Sequence, residues 1–463
     1  MPRISKQLIA GLAAALLVAA CTSSEPDETT TVAPTTTTAS TTTTTTQPPL
    51  DPSEGLYVML MWHQHQPLYP ENADGYVTRP WTRVHATKDY YDMAALVAEY
   101  PDLHVTFNLT PVLLRQLEDL TNGTKDVYWA LTEIPAGELT DDQRTFVIDR
   151  FFDTNAKIVA RFPRYQELIE RRDRPDSFTT ADIRDLQLLF NLAWTDPSFL
   201  AGEPLASLVA KERNYTEEDK AVVLAEHERI IAGVLPLHAD LWESGQIEVA
   251  TTPLAHPILP LVSDTQLALV GDPTGIQPSN RFRQPLDAVN QVAFGLSEAE
   301  RLLGRRPVGM WPGEGAVAQE VMGMFSSNGV EWIATGEDVL AKTLDIGSFT
   351  RDSNDLVEEA DSLYQVYAAD LTRQSDLPMF FRDVVLSDRI AFEYSGTPAD
   401  EAADDFMARL GAIDAALDAA DVAGPKVVSV VLYGENAWEH YENDGIDFLN
   451  ALYGRLSDSD LVT

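Results

Sequence analysis

Short apolar runs recur along this chain with helix-length segments between them, and that alternation restricts the fold more than any other feature. Leu56 to Trp62 is the first run and His104 to Leu109 the second; Tyr90 to Tyr100, between them, has helical spacing. Strand, helix and strand in that order form a β-α-β unit. Ile247 to Ala250, Val308 to Trp311, Trp332 to Thr335 and Val427 to Leu432 read as further strands, with helical segments at 284–303 and 401–421. Strands alternating with helices imply an α/β fold, built on a parallel sheet or barrel. Residues 140–235 interrupt the alternation. They are rich in charge and helical periodicity and read as a long helical insertion. There is no repeat of fixed period, no GxGxxG fingerprint and no phosphate-binding loop, so nucleotide chemistry has no foothold.

The first 53 residues read differently from the rest. Arg3 and Lys6 precede an uncharged, mostly apolar run from Leu8 to Ala20, shorter than the roughly 20 residues a membrane span takes. The run ends Leu17-Val18-Ala19-Ala20-Cys21, and small residues before a cysteine are similar to the bacterial lipoprotein cleavage box. Residues 1–21 are therefore expected to be an export signal, with Cys21 as the lipidated N-terminus. Residues 22–53 are rich in Thr and Pro and nearly free of apolar side chains, which cannot offset their ordering entropy. They are expected to be a disordered tether outside the cytoplasmic membrane, with the lipid as the membrane attachment. The folded part is expected to span 54–463.

Composition narrows the partners. Lys plus Arg is 33 and Asp plus Glu is 72, a formal charge of −39. Such a charge opposes binding to a phosphate backbone, excludes nucleic acid, and suits a neutral ligand such as a sugar polymer. Cys21 is the one cysteine, which rules out an intramolecular disulfide and a cysteine zinc site.

The polar residues that stand out fall where strands end, the place where parallel barrels carry their chemistry. The first run leads into Trp62-His63-Gln64-His65-Gln66-Pro67. Two His, two Gln and a Trp suit hydrogen bonding to a neutral ligand; the competing reading is a His63-x-His65 metal pair. Glu248 sits inside a strand, where a carboxylate needs a partner, and is followed by Thr251 to Pro257 with His256. Met310-Trp311-Pro312-Gly313-Glu314-Gly315 sets an aromatic platform before a carboxylate held between glycines. Phe380-Phe381-Arg382-Asp383 leads on to Asp388, and Leu432-Tyr433-Gly434-Glu435-Asn436-Ala437-Trp438-Glu439-His440 closes the series. Trp and Tyr beside Glu and Asp fit a hydroxyl-rich ligand. Two carboxylates flanking a scissile bond are what glycoside hydrolysis needs, and spacing alone leaves several candidate pairs open.

Taken in order, these blocks resemble glycoside hydrolase family 57, in its amylopullulanase and α-amylase-like branch. The resemblance runs from Trp62–Pro67 through Pro80–Met93, Thr106–Leu109, Gly245–Glu248, His256–Pro260, Trp311–Gly315 and Phe381–Phe392 to Gly434–Glu439, and covers 56–455. It implies a distorted (β/α)7 barrel that needs no metal or cofactor and acts on α-glucans with retention. It places the nucleophile on Glu314 and the acid/base on Asp383, with Asp388 as the competitor. It makes Trp62, His63, His65, Gln66, Glu248, His256, Trp311, Glu435 and Trp438 substrate-binding or supporting residues.

Four departures matter. Gly313 stands where the family usually has Ser, Gly336 where it has Asp, and Tyr433 where a block usually begins Asp-Gly-Glu. The family's C-terminal helical domain is expected to be largely absent. Beside an extracellular α-glucan hydrolase, loss of acidic groups near the site leaves a catalytically weak or inactive α-glucan-binding lipoprotein on the same fold, and the pair His63 and His65 leaves a metal-dependent deacetylase as a third reading.

Overall fold

The computed structural model describes residues 55–371, 376–422, 424–435 and 437–462. The expected signal, Cys21 and the tether lie outside the described residues.

Among the described residues eight strands form one sheet: β1 (Leu56–Gln64), β2 (Val105–Leu109), β3 (Ile247–Thr251), β4 (Gly309–Met310), β5 (Trp332–Gly336), β6 (Tyr367–Ala369), β7 (Leu377–Arg382) and β8 (Lys426–Tyr433). The parallel neighbours run β5-β4-β3-β2-β1-β8-β7, and β5 also pairs with β7. That last pairing closes a barrel of seven parallel strands. Strand β6 is antiparallel and lies outside it on β7. The α/β expectation and the (β/α)7 barrel both hold.

Side chains alternate across a strand, so every second residue of a barrel strand points inward. Met59, Met61, Ala250, Ala334, Phe380 and Val431 pack together as the barrel interior. Counting two onward from that layer reaches His63, Arg382 and Tyr433 at the C-terminal mouth. Counting two back from Ala250 reaches Glu248 at the opposite end. Trp62 has the other parity and faces outward into the core between barrel and helices, against Trp438 and Tyr453. Helices Pro285–Leu303 and Ala399–Ala419 lie close to the expected 284–303 and 401–421.

The helical insertion is longer than expected. Helices begin at Pro111, directly after β2, and continue to Ser244. Thr140, Thr179 and Thr216 each start a helix through a capping box with the residue three positions on. The insertion has a core of its own, in which Tyr128, Phe151 and Phe190 stack. Its last helix, Glu217–Ser244, ends at Gly245 with φ 83°, the left-handed closing residue that glycine adopts without cost. Among the described residues no helix is long and apolar enough to cross a membrane.

Candidate active site

At the C-terminal mouth of the barrel lies a pocket of about 660 Å3, lined among others by His63, Trp311, Glu314, Arg382, Asp388 and Tyr433. Glu314 occupies a single helical turn after β4 at φ 53°, ψ 26°, a left-handed conformation that costs a non-glycine residue roughly 1–2 kcal/mol. The strain turns the carboxylate into the pocket, where the side chain is 55% exposed. The tight turn needs Gly313 beside it: a Cβ there would lie 2.3 Å from the Pro257 carbonyl oxygen. The Ser usual at this position in the resembling family has no room while the His256–Pro257 segment stays so close.

Two groups reach Glu314. The Tyr433 hydroxyl donates to Oε2 at 2.8 Å, and His256 Nδ1 lies 3.6 Å from Oε1. Burial first, then the hydrogen bond to Glu314 and its charge, push the Tyr433 phenol well above its ordinary value. His256 belongs to a stack of three imidazoles, 4.9 Å from His63 and 4.5 Å from His65 between ring centres. Burial lowers His256 to about 3 and, with His256 as neighbour, holds His63 well below its usual value. Burial also lowers His65, against the opposing pull of Glu314. The stack is therefore uncharged at neutral pH and presents hydrogen-bonding edges rather than cations. Asn108 Nδ2 donates to the Thr251 carbonyl, so its Oδ1 accepts from His63 Nδ1 at 2.7 Å. His63 Nε2 is left an acceptor with no partner among the described residues. Among these residues no three His, Cys, Asp or Glu side chains converge as metal ligands.

The two aspartates of the 383–388 block have different surroundings. Asp383 is the N-cap of the helix Val384–Asp388 and is 1% exposed. It accepts from Leu386 N at 3.0 Å, from the Tyr364 hydroxyl at 2.6 Å and from Arg351 Nη2 at 3.2 Å. Arg351 is held in turn by Glu337, at 2.7 Å. Asp388 lies on the pocket wall, 43% exposed, with Arg382 Nη2 at 2.7 Å. We expect Asp383→Ala to cost about 3 kcal/mol, because it strips a buried partner from Arg351 and an N-cap from the helix. Asp388→Ala should change stability by no more than about 0.5 kcal/mol, since an exposed ion pair contributes little. Urea titrations of both variants test the contrast; equal midpoints would count against it.

Several residues expected to contact substrate do not reach the pocket. Glu248 sits at the far end of the barrel, where its carboxylate accepts from Trp332 Nε1 at 2.9 Å. Trp62 and Trp438 are core residues, with the Trp438 indole donating to the Gly434 carbonyl at 2.8 Å. Glu435 is buried behind the first-strand loop and accepts from His65 N at 3.1 Å. Burial raises its carboxyl well above the usual range. It supports the wall rather than forming it. Gln66 is buried too, spending its amide on the Tyr90 and Tyr69 hydroxyls. The pocket residues that went unassigned in the sequence reading include Arg382, Tyr433 and Phe392. Arg382 and Tyr433 follow from inward parity in their strands, and Phe392 stands 76% exposed on the rim with no local sequence signal.

Residues 59–463 match the profile of glycosyl hydrolase family 57. No curated protein sequence matches the chain. Among solved structures it is similar to the α-amylase AmyC of Thermotoga maritima, with TM-score 0.53 and 14% identity over 89% of this chain and 73% of that one. It is similar also to a family 57-type branching enzyme of Pyrococcus horikoshii, with TM-score 0.50 and 13% identity over 88% and 68%. At such identity the likeness establishes the shared barrel.

Proposed function

The chain belongs to glycosyl hydrolase family 57, and from that premise we propose that it cleaves α-linked glucan by retaining double displacement. Glu314 attacks the anomeric carbon and Asp388 protonates the departing oxygen. Water, or a second sugar hydroxyl, then releases the glycosyl group from Glu314 after losing its proton to Asp388. The observation that carries this reading is Glu314 itself, turned by a strained backbone into the mouth of the barrel and oriented by a donated hydroxyl. Asp388 is preferred to Asp383 because it lies on the wall of the same pocket. Trp311 and the uncharged histidines suit the faces and hydroxyls of a neutral sugar, and the amylase- and branching-enzyme-like folds agree with a glucan. Incubation with soluble starch, pullulan and maltoheptaose, with chromatography of the products beside Glu314→Gln, tests it. Product from the wild type alone supports the reading.

One observation favours a second reading. Tyr433 touches the nucleophile at the position where the family pattern has Asp. A phenol there makes a slow enzyme or a glucan-binding protein. No product from the wild type, with the same sugars raising its Tm, would select that alternative.

We propose further that the protein is exported and anchored through Cys21, on the strength of the run Leu17 to Cys21. Cys21→Ser should abolish incorporation of labelled palmitate; unchanged labelling would refute the anchor.

A further inference from the structure

We propose that the cavity beside the Glu314 pocket binds a further stretch of the same sugar chain, making the protein selective for long chains over short ones. The inference rests on the glucan reading above. The cavity measures about 690 Å3 and lies between the first-strand loop, the helix Trp81–His85, the helical insertion and the last barrel loop. His440 forms a wall of both spaces. It is held in place by the insertion: Lys157 Nζ donates to its carbonyl at 2.8 Å and Asn155 Nδ2 lies 3.2 Å from its Nδ1. On the other side His65, facing this cavity, stacks on His63 of the Glu314 pocket with ring centres 5.7 Å apart. A chain held at Glu314 can therefore continue past this pair of histidines and His440 into the second space.

The walls have the chemistry of a sugar site. Trp81 is half-buried and braced edge-on by buried Trp194, 5.9 Å away at 61°, which fixes a flat apolar face at the cavity. His85 Nδ1 lies 2.6 Å from Asp89 Oδ2. A carboxylate only accepts, so Nδ1 carries a proton, and Nε2 is the ring nitrogen left to hydrogen bond with a sugar hydroxyl. Thr154 Oγ1 is buried in the same wall without a partner among the described residues. An aromatic face, an oriented imidazole nitrogen and an unpartnered hydroxyl match a hydroxyl-rich ring. Arg150 on the same wall is paired with Asp153 at 2.7 Å, which leaves the Glu439 carboxylate to oppose an anionic ligand.

The test measures kcat and KM of the full-length protein on maltotriose through maltoheptaose. Wild type should gain in kcat/KM as the chain lengthens. In Trp81→Ala the preference for maltoheptaose over maltotriose should fall about tenfold through KM, equivalent to roughly 1.4 kcal/mol. Thr154→Trp fills the cavity from another side and should give the same flattening, which keeps the test decisive if loss of Trp81 unfolds the insertion. A wild-type profile flat with length, or equal losses at every length in both variants, overturns the proposal. If no glucan is turned over, hydrolysis fails and the cavity is judged on maltoheptaose affinity alone. Weaker binding in both variants then supports it, and unchanged binding overturns it.

Discussion

Glu314→Gln is expected to lower kcat on soluble starch by a factor on the order of 10⁴ or more, because an amide oxygen cannot take the place of the attacking carboxylate. Stability should barely move. The side chain is 55% exposed, and the amide oxygen can still accept from the Tyr433 hydroxyl. A change within about 0.5 kcal/mol is usual for such a site. Product chromatography and thermal denaturation of the same preparation separate the two effects. A variant that keeps a substantial share of activity would move the nucleophile elsewhere. Glu314→Gly makes the complementary case. It is equally inactive, yet more stable by about 1 kcal/mol, because φ 53° is free of strain for glycine. A protein that keeps a strained carboxylate at the mouth of its barrel gives up stability for the position of that group.

On the slow-enzyme reading, in which the wild type lacks an effective general acid beside Glu314, Tyr433→Asp is expected to raise the rate of α-glucan hydrolysis by about 10²-fold or more. Burial and Glu314 keep the phenol protonated well above its usual range, which makes it a poor proton donor to a leaving sugar. A carboxyl group carried at the end of β8 would face the same space and release its proton more readily. The gain should be smaller on 4-nitrophenyl glucosides, whose leaving group needs less protonation. No gain on starch would mean that Asp388 already supplies the proton. A gain of equal size on both substrates would point instead to relief of crowding around Glu314.

Much of this architecture was legible because barrel strands buried on both faces read as apolar runs. His104–Leu109 became Val105–Leu109, Val427–Leu432 became Lys426–Tyr433, and the catalytic end was marked by what followed each run. Strand β7 was harder to see. Leu377 to Arg382 places Phe380 and Arg382 inside the barrel and contains a proline, so it lacks the simple apolar signature. The site was overread at Trp62 and Trp438, which are core residues, whereas the Trp311 platform lines the pocket. Trp62 adjoins Met61 and His63, and strand parity alone puts it on the opposite face from both. Glu248 has the inward parity but sits too early in its strand to reach the mouth. Asp383 and Asp388 could not be separated by sequence, because Arg351 and Tyr364, which engulf Asp383, come from a distant segment.

The closure of the barrel between β1 and β8 also governs when the site can come into being. The His65 amide meets Glu435 across 370 residues of chain, and Tyr433 enters the pocket on the last strand. The early strands and the insertion can settle among themselves, but Glu314 gains its hydroxyl partner only once β8 has docked. Pairings so distant in sequence are slow to form. Until then the facing edges of β1 and β7 stay unpaired, and such edges aggregate readily. If the export proposed above holds, the chain depends on protection until its final strand arrives.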